Sequence, residues 1–144
     1  MHHAGGLTVR LGTWEDLRDE ASAIRLEVFV QEQKVPIEIE VDALDAASMH
    51  AVAFDQAGAA IGTGRLLPDG HIGRMAVRRS VRGLGVGSAL LNALVEQARR
   101  QGFEGVVLHA QTHAQGFYVL HGFIAEGDEF DDANIAHILM RRSL

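Results

Sequence analysis

Apolar positions along the chain follow two periods, one typical of helices and one typical of strands. After Thr13 and Asp16, which form a capping-box pair, apolar residues recur at helical spacing and predict a helix over 14–30. A second broad apolar stripe predicts a helix over 85–101, and Gly102 supplies its natural end. The other predicted elements lie between these two helices and after the second one.

Three apolar segments between the helices predict strands at 49–54, 59–67 and 71–78. The turns that join them lie at 55–58 and 68–70, where Gly, Pro, Asp and Gln concentrate. Short turns of this kind connect neighbouring antiparallel strands. We therefore expect an antiparallel meander in the first half of the chain.

The second half begins with a short apolar segment at 106–110, which predicts a strand after the second helix. Strand, helix and strand in this order predict parallel pairing with 71–78. A shorter helix is predicted over 114–120, followed by strands around 123–126 and 135–140. The fold class predicted is α/β of the α+β type, a mixed central sheet flanked by helices.

Two segments lack a regular period. Residues 34–48 are predicted to be a long loop with at most one short helical turn. Residues 1–6 lack the basic region and the apolar stretch of a signal peptide, and we expect a disordered tail. A length of 144 residues suits a single domain, which we place at 7–144.

Composition narrows the classes of function. The formal net charge of −6 argues against a surface that coats nucleic acid, and no segment approaches the ~18 consecutive apolar residues of a membrane span. The chain has no Cys, which excludes disulfides, thiolate metal sites and cysteine nucleophiles and fits a reducing compartment such as the cytosol. Basic residues concentrate at 74–82 and acidic ones at 32–45, which suits an anionic and a cationic ligand respectively, although each run could also be a solvated face.

A glycine-rich segment lies where a predicted strand passes into the second helix. A helix start offers backbone N–H groups without intrahelical partners and the positive end of the dipole, and so binds phosphate oxygens. Glycines at alternate positions remove the Cβ atoms that would hold a diphosphate away. The candidate pyrophosphate-binding residues are Arg82, Gly83, Leu84, Gly85, Val86, Gly87 and Ser88.

Two better-known phosphate loops fit less well. A P-loop requires a lysine directly before the hydroxyl residue, but Gly87 precedes Ser88 and Lys34 is the only lysine. A dinucleotide-binding loop requires Gly or Ala at Ser88 and an acidic residue after the next strand, which instead runs into His109 and Gln111. The segment therefore matches neither an ATP-binding P-loop nor an NAD-binding loop.

The glycine segment resembles the GNAT acetyltransferase pattern R-x-x-G-x-G/A, which Arg82, Gly85 and Gly87 fill. Residues 73–77 resemble the central strand of that superfamily, and 117–123 resemble its F-Y-x-x-x-G-F segment. The chain is also similar to the ElaA-type subgroup. That similarity lies in Arg25, Val28, Phe29, Val30, Glu32, Gln33, Pro36, the acidic run 38–42, Ala110, Gln111 and His137.

This resemblance implies an N-acetyltransferase that transfers an acetyl group from acetyl-CoA to a primary amine by direct attack in a ternary complex. It places the pantetheine arm against the backbone of Met75, Ala76 and Val77, with the Val77 amide polarising the thioester carbonyl. It makes Tyr118, the only tyrosine, a coenzyme contact and the general acid that protonates the departing thiolate. Side chains that could balance the remaining phosphate charge are those of Arg78, Arg79 and Arg82.

The general base is open at this stage. His137 lies where the ElaA-type subgroup also has a histidine, and the other chemically suitable groups are Glu38, Glu40, Asp42 and His113. Ordinary surface or core packing could equally account for each of them.

On the acceptor side, the resemblance implies substrate contacts at the end of the first helix. The candidates are Arg25, Glu32, Gln33, Glu38 and Glu40. The acidic run suggests a small cationic acceptor, while a helix-end Arg or Glu could also be solvated or support a cap. The superfamily also suggests a homodimer.

No metal is expected, since the spacing of His109, His113 and His137 matches no ligand motif. Two other functions remain open. One is a non-catalytic acyl-CoA-binding regulatory module, and the other is an acyltransferase with a different acyl group or acceptor. The absence of Cys favours direct transfer, and Tyr118 argues against a non-catalytic role.

Overall fold

The computed structural model describes residues 2–4, 6–37 and 42–144, which form one mixed sheet with helices on both faces. The strands are β1 His2–Ala4, β2 Leu7–Gly12, β3 Met49–Phe54, β4 Ala60–Leu66, β5 His71–Val77, β6 Gly105–Gln111, β7 Ile124–Asp132 and β8 Ile135–Ser143. The helices are α1 Trp14–Arg25, α2 Val86–Arg100 and α3 Gln115–Leu120. Across the sheet the strands lie in the order β1-β2-β3-β4-β5-β6-β8-β7.

The two long helices cover opposite faces of the sheet. Ala51 and Ala53 of β3 belong to the core under α2, whereas Val52 between them packs with α1. Both helices therefore bury an apolar stripe against the same central strands. No helix in the described part of the chain is both long enough and apolar enough to span a membrane.

Strands β5 and β6 form the parallel pair that the sequence predicts, and the other neighbouring strands are antiparallel. Their pairing is short, because it joins only His71 to Val107 and Ile72 to Leu108. From Gly73 onward, β5 keeps its pairing with β4 but has no partner on β6. The two parallel strands therefore separate.

A β-bulge in β5 begins at this point of separation. Arg65 pairs with Gly73 and Thr63 with Ala76, so Arg74 and Met75 lie opposite the single residue between Thr63 and Arg65. Arg74 has a φ of 50°, and such a bulge bends a strand and increases its twist. The bulge thereby directs β5 away from β6.

The first helix begins as predicted and changes its period before it ends. Thr13 and Asp16 form both hydrogen bonds of the capping box, each 3.3 Å long. After α1 the chain continues as a π-helical segment, Leu26–Glu32, rather than as regular α-helix to residue 30. π-Helical turns are frequent at functional sites because they shift the direction of the side chains.

The main differences from the predicted elements lie at the two ends of the chain. His2–Ala4 pair with β2, so the expectation of a disordered tail over 1–6 is wrong for these three residues. Strand β2 was not predicted, although Leu7 and Val9 alternate with polar residues and are buried. Strands β7 and β8 also run longer than predicted, because β7 is a largely exposed edge strand with few apolar residues.

Candidate functional site

The separation of β5 and β6 opens a groove of about 860 Å³. One wall is the π-helical end of the first helix, and the other is formed by β6, α3 and the β7–β8 turn. Several of the predicted site residues line this groove, together with other polar side chains of β6 and of the segment after it. These residues are Glu32, Gln33, Met75, Ala76, Val77, Arg82, His109, Gln111, His113, Tyr118 and His137.

The backbone of β5 presents polar groups to this groove. The N–H of Arg78 donates to the carbonyl of Ile61 on β4 at 3.0 Å. Because successive residues of a strand direct these groups to opposite sides, the N–H and C=O of Val77 point away from β4. The structure thus places a backbone donor in the groove at the predicted position; its role in polarising a carbonyl stays a prediction.

The glycine-rich segment forms an open, uncapped helix start. Gly83 and Gly85 have φ values of 80° and 86°, which favour glycine, and a Cβ at either position would meet nothing within 4 Å. Gly85 is the N-cap residue and provides no side-chain cap. The first helical bond donor is Ala89, at 3.1 Å from the Gly85 carbonyl, so the N–H groups of 86–88 have no acceptor within the helix. This arrangement fits a diphosphate.

The side chain of Arg82 is already engaged, in contrast to the predicted availability for phosphate. Its two terminal nitrogens donate to the Glu32 carboxylate at 2.7 and 2.8 Å, and its Nε donates to the Val77 carbonyl at 2.9 Å. The hydrogen bonds and charge of Arg82 lower the pKa of Glu32. Glu32 therefore lies in the groove as predicted, but its charge is balanced by the glycine-rich segment.

The other two candidate arginines also lie beside carboxylates. Arg79 is 3.5 Å from Glu32, and Arg78 is 3.6 Å from Glu27. Both acids belong to the π-helical end of the first helix. This helix end and the glycine-rich segment are therefore joined by ion pairs across one wall of the groove.

Tyr118 lies in the groove lining as predicted. Its side chain is 9% exposed, and its ring contacts those of Phe117 and Phe123 at 5.1 and 5.9 Å. Burial raises the pKa of Tyr118 to about 12. The phenol therefore keeps its proton at neutral pH, as a general acid requires.

Arg25 does not line the groove, and its predicted contact with the acceptor is wrong. The residue is 2% exposed, and its guanidinium donates to both carboxylate oxygens of Asp45 at 2.8 and 2.9 Å. Its Cζ also lies 5.2 Å from the centre of the Trp14 ring. A buried cation requires such partners, so Arg25 holds α1 against the segment around Asp45.

Asp42, one of the candidate bases, is connected to this network through Arg65, which donates to both Asp42 and Asp45. It accepts from Arg65 at 2.7 and 2.9 Å and from Arg74, the bulge residue, at 3.2 Å. Hydrogen bonds and charge from Arg65 lower the pKa of Asp42 to about 2. This carboxylate binds a proton too weakly for a base at neutral pH and instead braces the bulge.

A polar bridge crosses the groove from the first helix to β6. The side-chain amides of Gln33 and Gln111 exchange two hydrogen bonds of 3.0 and 3.1 Å, and His113 lies 2.7 Å from Gln111 Oε1. Gln33 thus reaches the groove as predicted. Its partner could not be inferred from spacing, since the two residues are 78 positions apart.

His137 is positioned so that one ring nitrogen is available. Nδ1 lies 2.7 Å from the carbonyl of Ile135, which can only accept, so Nδ1 carries a hydrogen. In the neutral ring, Nε2 then bears the lone pair that a base needs. The side chain is 9% exposed and lines the groove.

Two histidines near His137 were assigned no functional role in the sequence-based predictions. His71 and His109 lie 5.7 Å apart, and Phe130 contacts both His109 at 5.3 Å and His137 at 5.9 Å. Burial, and then the charges of His71 and His137, lower the pKa of His109. The signal available in the sequence was alternation along the strands, which places these rings on one face.

Two predicted substrate residues, Glu38 and Glu40, lie outside the described residues. Within the described ranges, no group of three or more His, Cys, Asp or Glu side chains is arranged to hold a metal ion.

Comparisons with known proteins agree with this geometry. Residues 15–144 match the family described as acetyltransferase (GNAT) domain. The chain is 41% identical over 132 residues to the uncharacterized N-acetyltransferase YjcF of Bacillus subtilis, covering 89% of this chain and 93% of that protein. It resembles the crystal structure of an acyl-CoA N-acyltransferase from Pseudomonas aeruginosa, with a TM-score of 0.84, 33% identity and coverage of 95% and 99%. Escherichia coli ElaA gives a TM-score of 0.83 at 25% identity, with the same coverage.

Proposed function

Because the chain belongs to the GNAT acetyltransferase family, we propose that it transfers an acetyl group from acetyl-CoA to the primary amine of a small cationic acceptor. One observation carries this proposal. The separation of two parallel strands lies beside a glycine-rich helix start whose N–H groups have no intrahelical acceptors. A thioester arm and a diphosphate need these two kinds of backbone donor next to each other.

Different residues of this chain would bind the different parts of the coenzyme. The N–H groups of 86–88 and the glycines before them would hold the pyrophosphate, and the backbone of Met75 and Val77 would pair with the pantetheine arm. The coenzyme supplies an activated acyl thioester. The Val77 N–H would donate to the thioester oxygen, where negative charge grows during attack.

Two side chains would transfer protons during the reaction. An acceptor ammonium must lose one proton before its nitrogen can attack, and His137 Nε2 would take it through water. As the new N–C bond forms and the C–S bond breaks, the Tyr118 hydroxyl would protonate the sulfur. The attacking nitrogen loses a second proton, which restores Tyr118 through solvent, so the reaction releases one proton overall.

The ion-paired state of the other acids supports the choice of His137. Asp42 and Glu32 each accept hydrogen bonds from arginine, and both have a lowered pKa. Such a carboxylate is a weak base, because the arginine hydrogen bonds stabilise its charged form. Of the described residues that we considered as bases, His113 and His137 both line the groove and keep one ring nitrogen outside these hydrogen bonds, and His137 is the one that is buried.

The test is turnover with a panel of primary amines. Thiol release and the mass of the acetylated amine are measured together, so that hydrolysis of acetyl-CoA is distinguished from transfer. We expect transfer to at least one cationic amine, and retention of transfer in Asn92→Glu, which adds a carboxylate to an exposed position of α2. Tight coenzyme binding without transfer to any amine would instead favour a non-catalytic acyl-CoA-binding module.

A further inference from the structure

A row of aromatic rings lies on the part of the sheet that α1 leaves uncovered. In β6, Val106, Leu108 and Ala110 are buried in the core under α2, so His109 between them points to the opposite face. The apolar residues that pack with α1 come from β3, β4 and β5. The face formed by β6, β8 and β7 therefore remains open beside the groove.

Four side chains from four strands form this row: His71 of β5, His109 of β6, His137 of β8 and Phe130 of β7. Neighbouring ring centres are 5.7, 5.3 and 5.9 Å apart, within the range of favourable ring contacts. His109 is exposed and Phe130 is 38% exposed, so the row has a free surface. The three histidines also line the groove.

His71 and His109 lie at some distance from the proposed reaction centre, whereas His137, which pairs with Gln111, lies nearer to it. The pairing of Ile72 with Leu108 places His109 level with Gly73, four residues before Val77. At about 3.3 Å per residue, this corresponds to roughly 13 Å along the strands. A group bound on the row is therefore joined to the reacting amine by an extended spacer.

We propose that His71, His109 and Phe130 bind a flat aromatic group at the far end of an elongated amine acceptor, while His137, at the near end of the row, remains the proposed base. This inference rests on the proposed function and specifies its acceptor class. The rings present both faces and edges to a ligand. A planar aromatic group therefore gains more binding energy from contact with them than a branched aliphatic group of similar size does. The lowered pKa of His109 favours its neutral ring at neutral pH, which avoids repulsion of a cationic acceptor.

Three tetrapeptide amides with one free amino group each provide the probes. Gly-Gly-Gly-Phe-amide carries a ring far from the amine, Gly-Gly-Gly-Leu-amide carries no ring, and Phe-Gly-Gly-Gly-amide carries the ring next to the amine. We expect kcat/KM for the far-ring probe to exceed that of the other two by about three- to tenfold. Equal values for the three probes would overturn the inference.

Variants of Phe130 locate the effect. Phe130→Leu keeps an apolar side chain without a ring and is expected to abolish the preference for the far-ring probe, whereas Phe130→Trp is expected to retain it. Ile124→Ala, on the same strand and 73% exposed, is the control for damage to β7 and is expected to leave the preference unchanged. A preference that survives Phe130→Leu would contradict the proposed role of the ring.

A binding measurement separates this inference from the proposed function. Histidine ring signals are followed by NMR while Gly-Gly-Gly-Phe-amide or the Leu probe is added without acetyl-CoA. We expect shifts of the His71 and His109 signals with the Phe probe and much smaller shifts with the Leu probe. If neither these probes nor any amine of the panel is acetylated, the proposed function fails, yet the NMR result still decides whether the ring row binds an aromatic group. No selective shift would refute that binding.

Discussion

The two sides of the groove are built by different means. The proposed coenzyme side consists of backbone, with Gly83 and Gly85 in left-handed conformations before an uncapped helix start. The proposed acceptor side depends on side chains held by one another, in the Gln33–Gln111 bridge of the groove lining and in the buried Arg25–Asp45 pair outside it. Backbone groups are present whatever the side chain, so they suit the coenzyme, which does not vary. Side chains can be replaced, so a site made of side chains can be adapted to a different acceptor.

The largest effect should come from Tyr118, which lines the groove. Tyr118→Phe keeps the buried ring and removes the proton, so we expect kcat to fall about 10²- to 10⁴-fold while acetyl-CoA affinity changes little. Because burial raises the pKa of Tyr118 to about 12, ionisation of this phenol should not reduce kcat between about pH 7 and 10. Steady-state rates over this pH range provide the measurement. A variant with wild-type kcat would remove Tyr118 from the mechanism.

The next largest effect should come from removing a partner from the buried network that holds α1. Asp45→Ala leaves the guanidinium of Arg25 without its bidentate partner, and we expect a loss of about 3–5 kcal/mol in the free energy of unfolding. Asp19→Ala, an exposed position on α1, serves as the control and should change stability by less than about 0.5 kcal/mol. Urea unfolding of both variants gives the comparison. Equal stabilities would mean that the network does not brace α1.

A smaller effect, with a defined pH dependence, is expected at the bulge. The pKa of Asp42 is lowered from 3.8 to about 2 in the folded protein, so its stabilisation is complete above about pH 4 and is lost as the pH falls towards 2. Asp42→Asn should therefore lower stability at pH 7 by about 2 kcal/mol and have little effect near pH 2. Denaturant unfolding at several pH values measures the difference. A loss that is independent of pH would assign the effect to packing rather than to charge.

The smallest effect should come from the Glu32–Arg82 ion pair, which joins the end of the first helix to the glycine-rich segment. Glu32→Gln removes the charge that holds Arg82, and a released guanidinium can approach the coenzyme phosphates. We expect acetyl-CoA to bind about two- to fivefold more tightly, in keeping with the modest energy of a partly exposed ion pair. Calorimetry at low and high salt tests this, since the gain should shrink as salt rises. Weaker binding would show that the Glu32–Arg82 pair supports the coenzyme site as it stands.

The same contrast explains what the sequence could predict. The helix start at Gly85 depends on residues adjacent in the chain, so its position and its open N–H groups follow from spacing. The acceptor side depends on contacts between distant residues, such as Gln33 with Gln111, and on the buried state of Arg25, which resembled a helix-end residue in the sequence. Helical and strand periods identified most elements, but the π-helical turn and the bulge at Arg74 arise from tertiary packing and leave no periodic signal.

The most direct test of the account is calorimetric titration of acetyl-CoA into the wild type, Ser88→Glu and Asn92→Glu. Ser88 is the third residue of α2, where a carboxylate favours the helix dipole, so the variant should fold normally while its charge repels the pyrophosphate. We expect the wild type and Asn92→Glu to bind acetyl-CoA with the same affinity. We expect Ser88→Glu to bind it more weakly by a factor on the order of ten or more. Equal binding by Ser88→Glu and the wild type, or no binding by the wild type, would contradict the assignment of the glycine-rich helix start to the coenzyme.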